Sequence, residues 1–251
     1  LMNKNVWIII VIGIIAALGV AGFFILQPTA ADILVQSLET AETITDGHVI
    51  VSIEVDTLEQ DGSGTLEIWG RHSEEGPGAF RLEVLEASEE KAQGAMIVTD
   101  GETLWAYSPS ENKVFVGTPE EAQAFMETNQ DLLAEYGQFN MHRKAKPEDG
   151  EYEHPESAAE AVEKLQEYVK IAKSGTETVA GETATLLKLE PIPEQMPAEY
   201  AAIGGLINLW VGKDSQLPLA ISYNGGSMGE ASLNILELEV NSGIDDDIFT
   251  F

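Results

Sequence analysis

The chain has 251 residues, no cysteine, 44% hydrophobic residues and a formal net charge of -30. That apolar fraction suits one sizeable globular domain or two small ones. The missing cysteine excludes disulfides, thiol catalysis, cysteine-ligated zinc and an acylated N-terminal cysteine. Lys4 is the only charge in the first thirty residues, which leaves twelve bases against 43 acids in the remainder. A surface that acidic repels phosphate backbones and anionic headgroups, which argues against nucleic-acid binding.

Taken in chain order, the first feature is Ile8–Leu26, a run without a charged residue. It is long enough to span a bilayer core and longer than the apolar region of a typical signal peptide. Residues 1–27 therefore read as one N-terminal transmembrane helix, inserted into the cytoplasmic membrane through residues 8–26. Thr29-Ala30-Ala31 supplies the small residues of the alternative, a signal sequence cut near Ala30. No Lys or Arg lies between Lys4 and Arg71, so the domain 32–251 is expected on the extracytoplasmic face.

Apolar residues at helical spacing predict a helix over Ala31–Thr45. Period two then sets in: Val49, Val51, Ile53 and Val55 alternate with more polar residues, and strands follow at Gly62–Gly70, Ala79–Ala87, Gly94–Thr99, Thr103–Ser108 and Asn112–Val116. Asp100-Gly101 and Pro109–Asn112 are turn signals that fold the last three into hairpins. In Thr103–Ser108, Trp105 and Tyr107 share one face and Leu104 and Ala106 the other, so both faces are apolar. Thr118-Pro119-Glu120-Glu121 opens a second helix with a capping box, ended by Gly137, and Pro155–Lys173 reads as a third. Strands resume at Thr176–Ala180, Thr183–Glu190, Leu206–Gly212, Pro218–Asn224 and Glu230–Asn241. Pro191–Gly205, with three prolines and Gly204-Gly205, is too broken for a strand. The pattern is an α+β class: about eleven antiparallel strands in a strongly curved sheet, a half-open β-barrel, with helices covering the concave side.

Catalytic motifs fail on context. Gly225-Gly226-Ser227-Met228-Gly229 matches a nucleophile elbow, yet a strand follows it and all four histidines precede it, so it reads as a hairpin turn. Ser110-Glu111-Asn112-Lys113 sits in a hairpin tip. The histidines occur singly and Asp56–Gly62 lacks calcium-loop order. Asp245-Asp246-Asp247 reads as a solvated turn before a terminal strand. The expectation is no enzyme, no cofactor and no metal.

Three stretches resemble the LolA-like outer-membrane lipoprotein-sorting family: Thr99-Asp100-Gly101 through Leu104-Trp105-Ala106-Tyr107-Ser108-Pro109, Leu209-Trp210-Val211 through Leu217-Pro218-Leu219, and Val240-Asn241 through Phe249-Thr250-Phe251. The resemblance implies a half-open barrel, lidded by helices, that carries lipid or lipoprotein acyl chains. It also implies a lid-locking arginine just after the second strand, where Arg71 falls. Candidate cavity-lining residues are Val51, Ile53, Trp69, Leu82, Trp105, Tyr107, Leu187, Trp210 and Tyr223. Candidate gate residues are Arg71 and, from the apolar rim segment, Ile192, Met196 and Tyr200. The same fold serves envelope sensor domains, so a membrane-protein partner is the alternative to a lipid cargo.

Overall fold

A computed structural model describes residues 28–57, 61–73, 78–119, 121, 155–196, 205–226 and 229–251. The predicted transmembrane helix lies outside the described residues. So does the second predicted helix beyond its first turn, where the expected capping box is in place: Thr118 Oγ1 accepts from the Glu121 amide at 3.2 Å and the Glu121 carboxylate accepts from the Thr118 amide at 2.9 Å. Among the described residues no helix is long and apolar enough to cross a membrane.

Eleven strands form one antiparallel sheet. In chain order they are β1 (Asp46–Thr57), β2 (Asp61–Arg71), β3 (Ala79–Ala87), β4 (Met96–Thr99), β5 (Leu104–Ser108), β6 (Lys113–Gly117), β7 (Val169–Val179), β8 (Glu182–Pro191), β9 (Leu206–Gly212), β10 (Pro218–Asn224) and β11 (Gly229–Val240). Their spatial order, β6-β5-β4-β3-β2-β1-β11-β10-β9-β8-β7, joins two meanders through the β1–β11 pair and, among the described residues, leaves β6 and β7 as free edges. The barrel is therefore open. Register shifts at Ile50/Val51, Thr65/Leu66, Lys173/Gly175 and Pro218/Ala220 place bulges in four ladders, and bulges bend and twist a sheet into a curl.

Among the described residues two helices accompany the sheet, α1 (Ala30–Glu42) and α2 (Ala158–Tyr168). Thr29 caps α1 reciprocally with Asp32: its hydroxyl accepts from the Asp32 amide at 3.1 Å and the Asp32 carboxylate accepts from the Thr29 amide at 2.7 Å. Those hydrogen bonds hold the Asp32 carboxyl below its ordinary range. Ser157 caps α2 through the Glu160 amide at 3.2 Å. Ala30 and Leu34 of α1 and Val162 of α2 pack on Val169, Leu187, Leu189 and Val211 to form the buried core.

Three sequence expectations need correction. The helix predicted over Pro155–Lys173 ends at Tyr168, and Val169–Lys173 is the start of β7, not a helix end. Val169 and Ile171 find partners in Pro191 and Leu189 across the ladder, and this pairing overrides a helical spacing that was equally present. Pro191 itself closes β8 opposite Val169, and only the residues after it leave the ladder. The Asp245–Asp247 turn does not lead into a strand. It opens a 3₁₀ turn, Asp246–Phe249, whose Phe249 is 1% exposed.

That C-terminal turn explains a strand apolar on both faces. Ladder register puts Trp69, Arg71, Ala79, Arg81, Val98, Trp105 and Tyr107 on the face opposite the helices. Residues 241–251 return over this face. The Arg71 guanidinium lies 4.9 Å from the Phe249 ring centre, Arg81 Nη1 donates to the Ile248 carbonyl at 3.4 Å, and the Tyr107 and Phe251 rings are 6.4 Å apart. Ala79 and Val98 become buried beneath this face.

Candidate functional site

The three family-like motifs turn out to be structural devices that shape the sheet. In the first, Asp100 Oδ1 accepts from the amides of Glu102 (2.9 Å) and Thr103 (2.7 Å), while Gly101 takes a φ of 99 that favours glycine. In the second, Glu182 Oε1 accepts from the amides of Asp214 (2.5 Å) and Ser215 (2.8 Å), which pins the β9–β10 hairpin against β8. In the third, Asn241 Oδ1 accepts from the Thr45 amide at 2.8 Å and its own amide donates to the Asp46 carbonyl at 2.8 Å. That clamp ends the β1–β11 ladder and turns the chain onto the far face.

On the helix-bearing face, antiparallel partners stand in apolar rows. Leu238, Val49, Ile68, Leu82, Ile97, Ala106 and Phe115 are opposite one another across β11 and β1 to β6. Leu187, Leu209, Ile221, Leu233 and Ile53 make a second row across β8 to β11 and β1. The helices cover the β7–β9 end of this face, where Leu187 and Val211 are buried. Away from them Phe80, Ile97 and Ile221 remain 38%, 37% and 42% exposed. Phe80 lines a cleft of about 490 Å³ together with Val49, Ile68, Leu238, Val240, Gly47 and Gly70, and Asp46, His48, Arg71 and His72 also border it. A Cβ on Gly70 would meet nothing within 4 Å, so the cleft is open at this position. The volume falls within the range of about 300–1,000 Å³ usual for small-molecule pockets.

The sequence-derived candidates divide between the two faces. Val51, Ile53, Leu82, Leu187 and Tyr223 lie on the helix-bearing face by register. Leu187 is fully buried beneath the helices and belongs to the packed core, not to the open cleft. Trp69, Trp105, Tyr107 and Trp210 lie on the opposite face, because a strand alternates with period two and these four hold the other parity. Trp69 stacks on His48 at 4.9 Å, and Trp210 Nε1 donates to Glu177 at 3.0 Å. Arg71 pairs with Asp246 and donates to the Ile244 carbonyl at 3.4 Å, so among the described residues it holds the C-terminal turn rather than a lid helix. Ile192 and Met196 form a half-buried turn after β8, closed by the Met196 amide on the Ile192 carbonyl at 3.2 Å, and Tyr200 lies outside the described residues. Ile68, Phe80, Ile97 and Ile221 were not singled out from the sequence. Their signal was available only as same-parity partners across ladders whose order the sequence does not spell out.

No cluster of three metal-ligating side chains occurs among the described residues. What the site offers chemically is apolar surface on an open sheet face. The architecture is that of an open antiparallel half-barrel, and the comparisons agree. No family model and no curated protein matches the chain. Among solved structures it is similar to MucB, at 17% identity and a TM-score of 0.53 over 88% of this chain and 62% of that one. It is similar too to the Pseudomonas aeruginosa MucA/MucB complex, at 15% identity and a TM-score of 0.50 over 88% of this chain and 60% of that one. The Mycobacterium tuberculosis lipoprotein LppX aligns at 16% identity and a TM-score of 0.48, over 87% of this chain and 98% of that one. A lipoprotein and a domain described as an outer-membrane lipoprotein-sorting protein, from Vibrio parahaemolyticus, both stand among the structural neighbours. The chain spans about three-fifths of the MucB structures it matches, and at these identities the likeness is one of fold.

Proposed function

We propose that the chain is a non-catalytic, extracytoplasmic binder or carrier of acyl chains, held at the outer face of the cytoplasmic membrane by residues 8–26. The observation that carries this reading is the apolar face left open beyond the helices, where Ile97 and Ile221 are more than a third exposed and Phe80 lines a cleft of about 490 Å³. A contiguous apolar patch left in water marks an interaction site, and the apolar rows on this face supply one. Each methylene buried there contributes about 0.8 kcal/mol, so an acyl chain is held by length alone and no specific polar contact is needed.

The test is equilibrium binding of a fluorescent fatty-acid probe to the full chain, compared with Ile97→Glu and Ile221→Glu. Both side chains are already partly in water, so folding tolerates the change, and thermal midpoints check this. Uptake by the unaltered chain, weakened at least tenfold in both variants, supports the reading. Equal uptake in all three contradicts it.

A second reading is a module that binds a protein partner. Its support is the fold shared with MucB, which has been seen in complex with MucA. The same face would then bury an apolar peptide segment, and the chain would purify without lipid.

A further inference from the structure

A second cleft on the helix-bearing face, of about 520 Å³, differs in character from the first. Its lining includes Lys173, Lys213, Gln36, Gln216 and Thr176, over an apolar base of Ile33 and Val211. No carboxylate lines it. That is unusual in a chain with 43 acids against thirteen bases. Neither lysine has a carboxylate within ion-pair distance among the described residues. Lys173 Nζ donates to the Pro28 carbonyl at 3.0 Å, which leaves two of its N–H groups for another acceptor. Gln216 Oε1 accepts from Thr40 at 3.2 Å, which turns its amide N–H groups toward other partners. Asp32 and Glu182 are committed elsewhere: Asp32 caps α1 and Glu182 holds the β9–β10 turn. The cleft therefore presents cationic and amide donors, with no carboxylate among its described lining residues.

Its position in the chain identifies the source of the anion. Pro28 lines the cleft and stands two residues after Leu26, the end of the segment read as a membrane anchor. With that anchor in the bilayer, the cleft opens within a residue or two of the membrane surface, where phosphate groups are densest. The overall acidity of the domain works against an anionic ligand, but screening confines that field to about 8 Å at physiological salt.

We propose that this cleft takes the phosphate of an anionic membrane lipid, with Lys173 and Lys213 as its cationic ligands. The inference rests on the acyl-binding reading and adds a headgroup preference to it. The test uses the full chain in a non-ionic detergent, titrated calorimetrically with dihexanoyl phosphatidic acid, dihexanoyl phosphatidylcholine and inorganic phosphate, for the unaltered protein and for Lys173→Gln/Lys213→Gln. The unaltered chain is expected to bind the phosphatidic acid about tenfold more tightly than the phosphatidylcholine, a difference of about 1.4 kcal/mol. The double variant loses this preference, and its unchanged affinity for phosphatidylcholine shows that the fold is intact. Equal affinities for the two lipids in the unaltered protein overturn the headgroup site and leave acyl binding standing. Inorganic phosphate bound as tightly as the phosphatidic acid overturns the lipid as source. Failure to bind either lipid contradicts the acyl-binding reading itself.

Discussion

Glu182 shows how one side chain fixes a hairpin and ties its stability to pH. Its carboxylate lies partly out of water, which by itself raises the pKa, but the Ser215 and Asp214 amides it accepts from outweigh this and hold it below the ordinary glutamate range. A carboxyl depressed in the folded state contributes stability above its unfolded pKa, and that contribution is lost as pH falls through the folded value. Glu182→Gln is therefore expected to cost about 1–2 kcal/mol near pH 7. The gap should narrow toward zero in urea unfolding as pH drops below about 4. A gap that stays constant with pH would mean the glutamine had changed packing instead. Ser37 makes the opposite case. It is 1% exposed on α1, and its hydroxyl has no hydrogen-bond partner among the described residues. Ser37→Ala removes a desolvated oxygen and improves helix propensity, so stability should rise by about 0.5–1 kcal/mol. A thermal midpoint about 2–4 °C higher per kcal/mol is the readout.

At the scale of elements, the C-terminal turn is the part the sequence described least well. Its aromatic close was visible as Phe249-Thr250-Phe251, but a strand was expected where the chain makes a 3₁₀ turn across the far face. The reason is that Phe249 is not buried by its own element. It is buried by contact with β3 and with the Arg71 guanidinium, both far away in sequence. The two contacts differ in weight. The Arg71–Asp246 pair is mostly in water, with the Asp246 side chain 85% exposed, so Arg71→Leu should cost less than about 1 kcal/mol. Phe249→Ala empties a fully buried site and should cost about 3–5 kcal/mol. Limited proteolysis of residues 241–251 together with chemical denaturation ranks the two. A larger loss from Arg71→Leu would show that the ionic contact, not the ring, holds the turn. The start of β7 teaches a related lesson. Val169, Ile171 and Lys173 fit both a helix and a strand by spacing, and only the partner strand β8 decides between them.

For the whole molecule, the strand number and the alternation within each strand were legible because turn residues punctuate the chain: Asp100-Gly101, Pro109–Asn112 and Gly225–Gly229 all lie between paired strands. Which parity faces the helices was not legible. It depends on β1 lying beside β11, a pairing between residues almost two hundred positions apart, such as Gly47 and Val240. Large aromatics were therefore assigned to the cavity when Trp69, Trp105, Tyr107 and Trp210 line the other face, and Val49, Ile68, Leu238 and Val240, which do line the open cleft, were not among the candidates. The central claim is that this aliphatic face holds acyl chains. Native mass spectrometry of the full chain, extracted from a cell envelope in a mild detergent, tests it most directly. The account predicts added mass of lipid size on the folded protein, lost on organic extraction and reduced in Ile97→Glu. A single mass equal to that of the polypeptide alone, from protein that also refuses a fatty-acid probe, would contradict it.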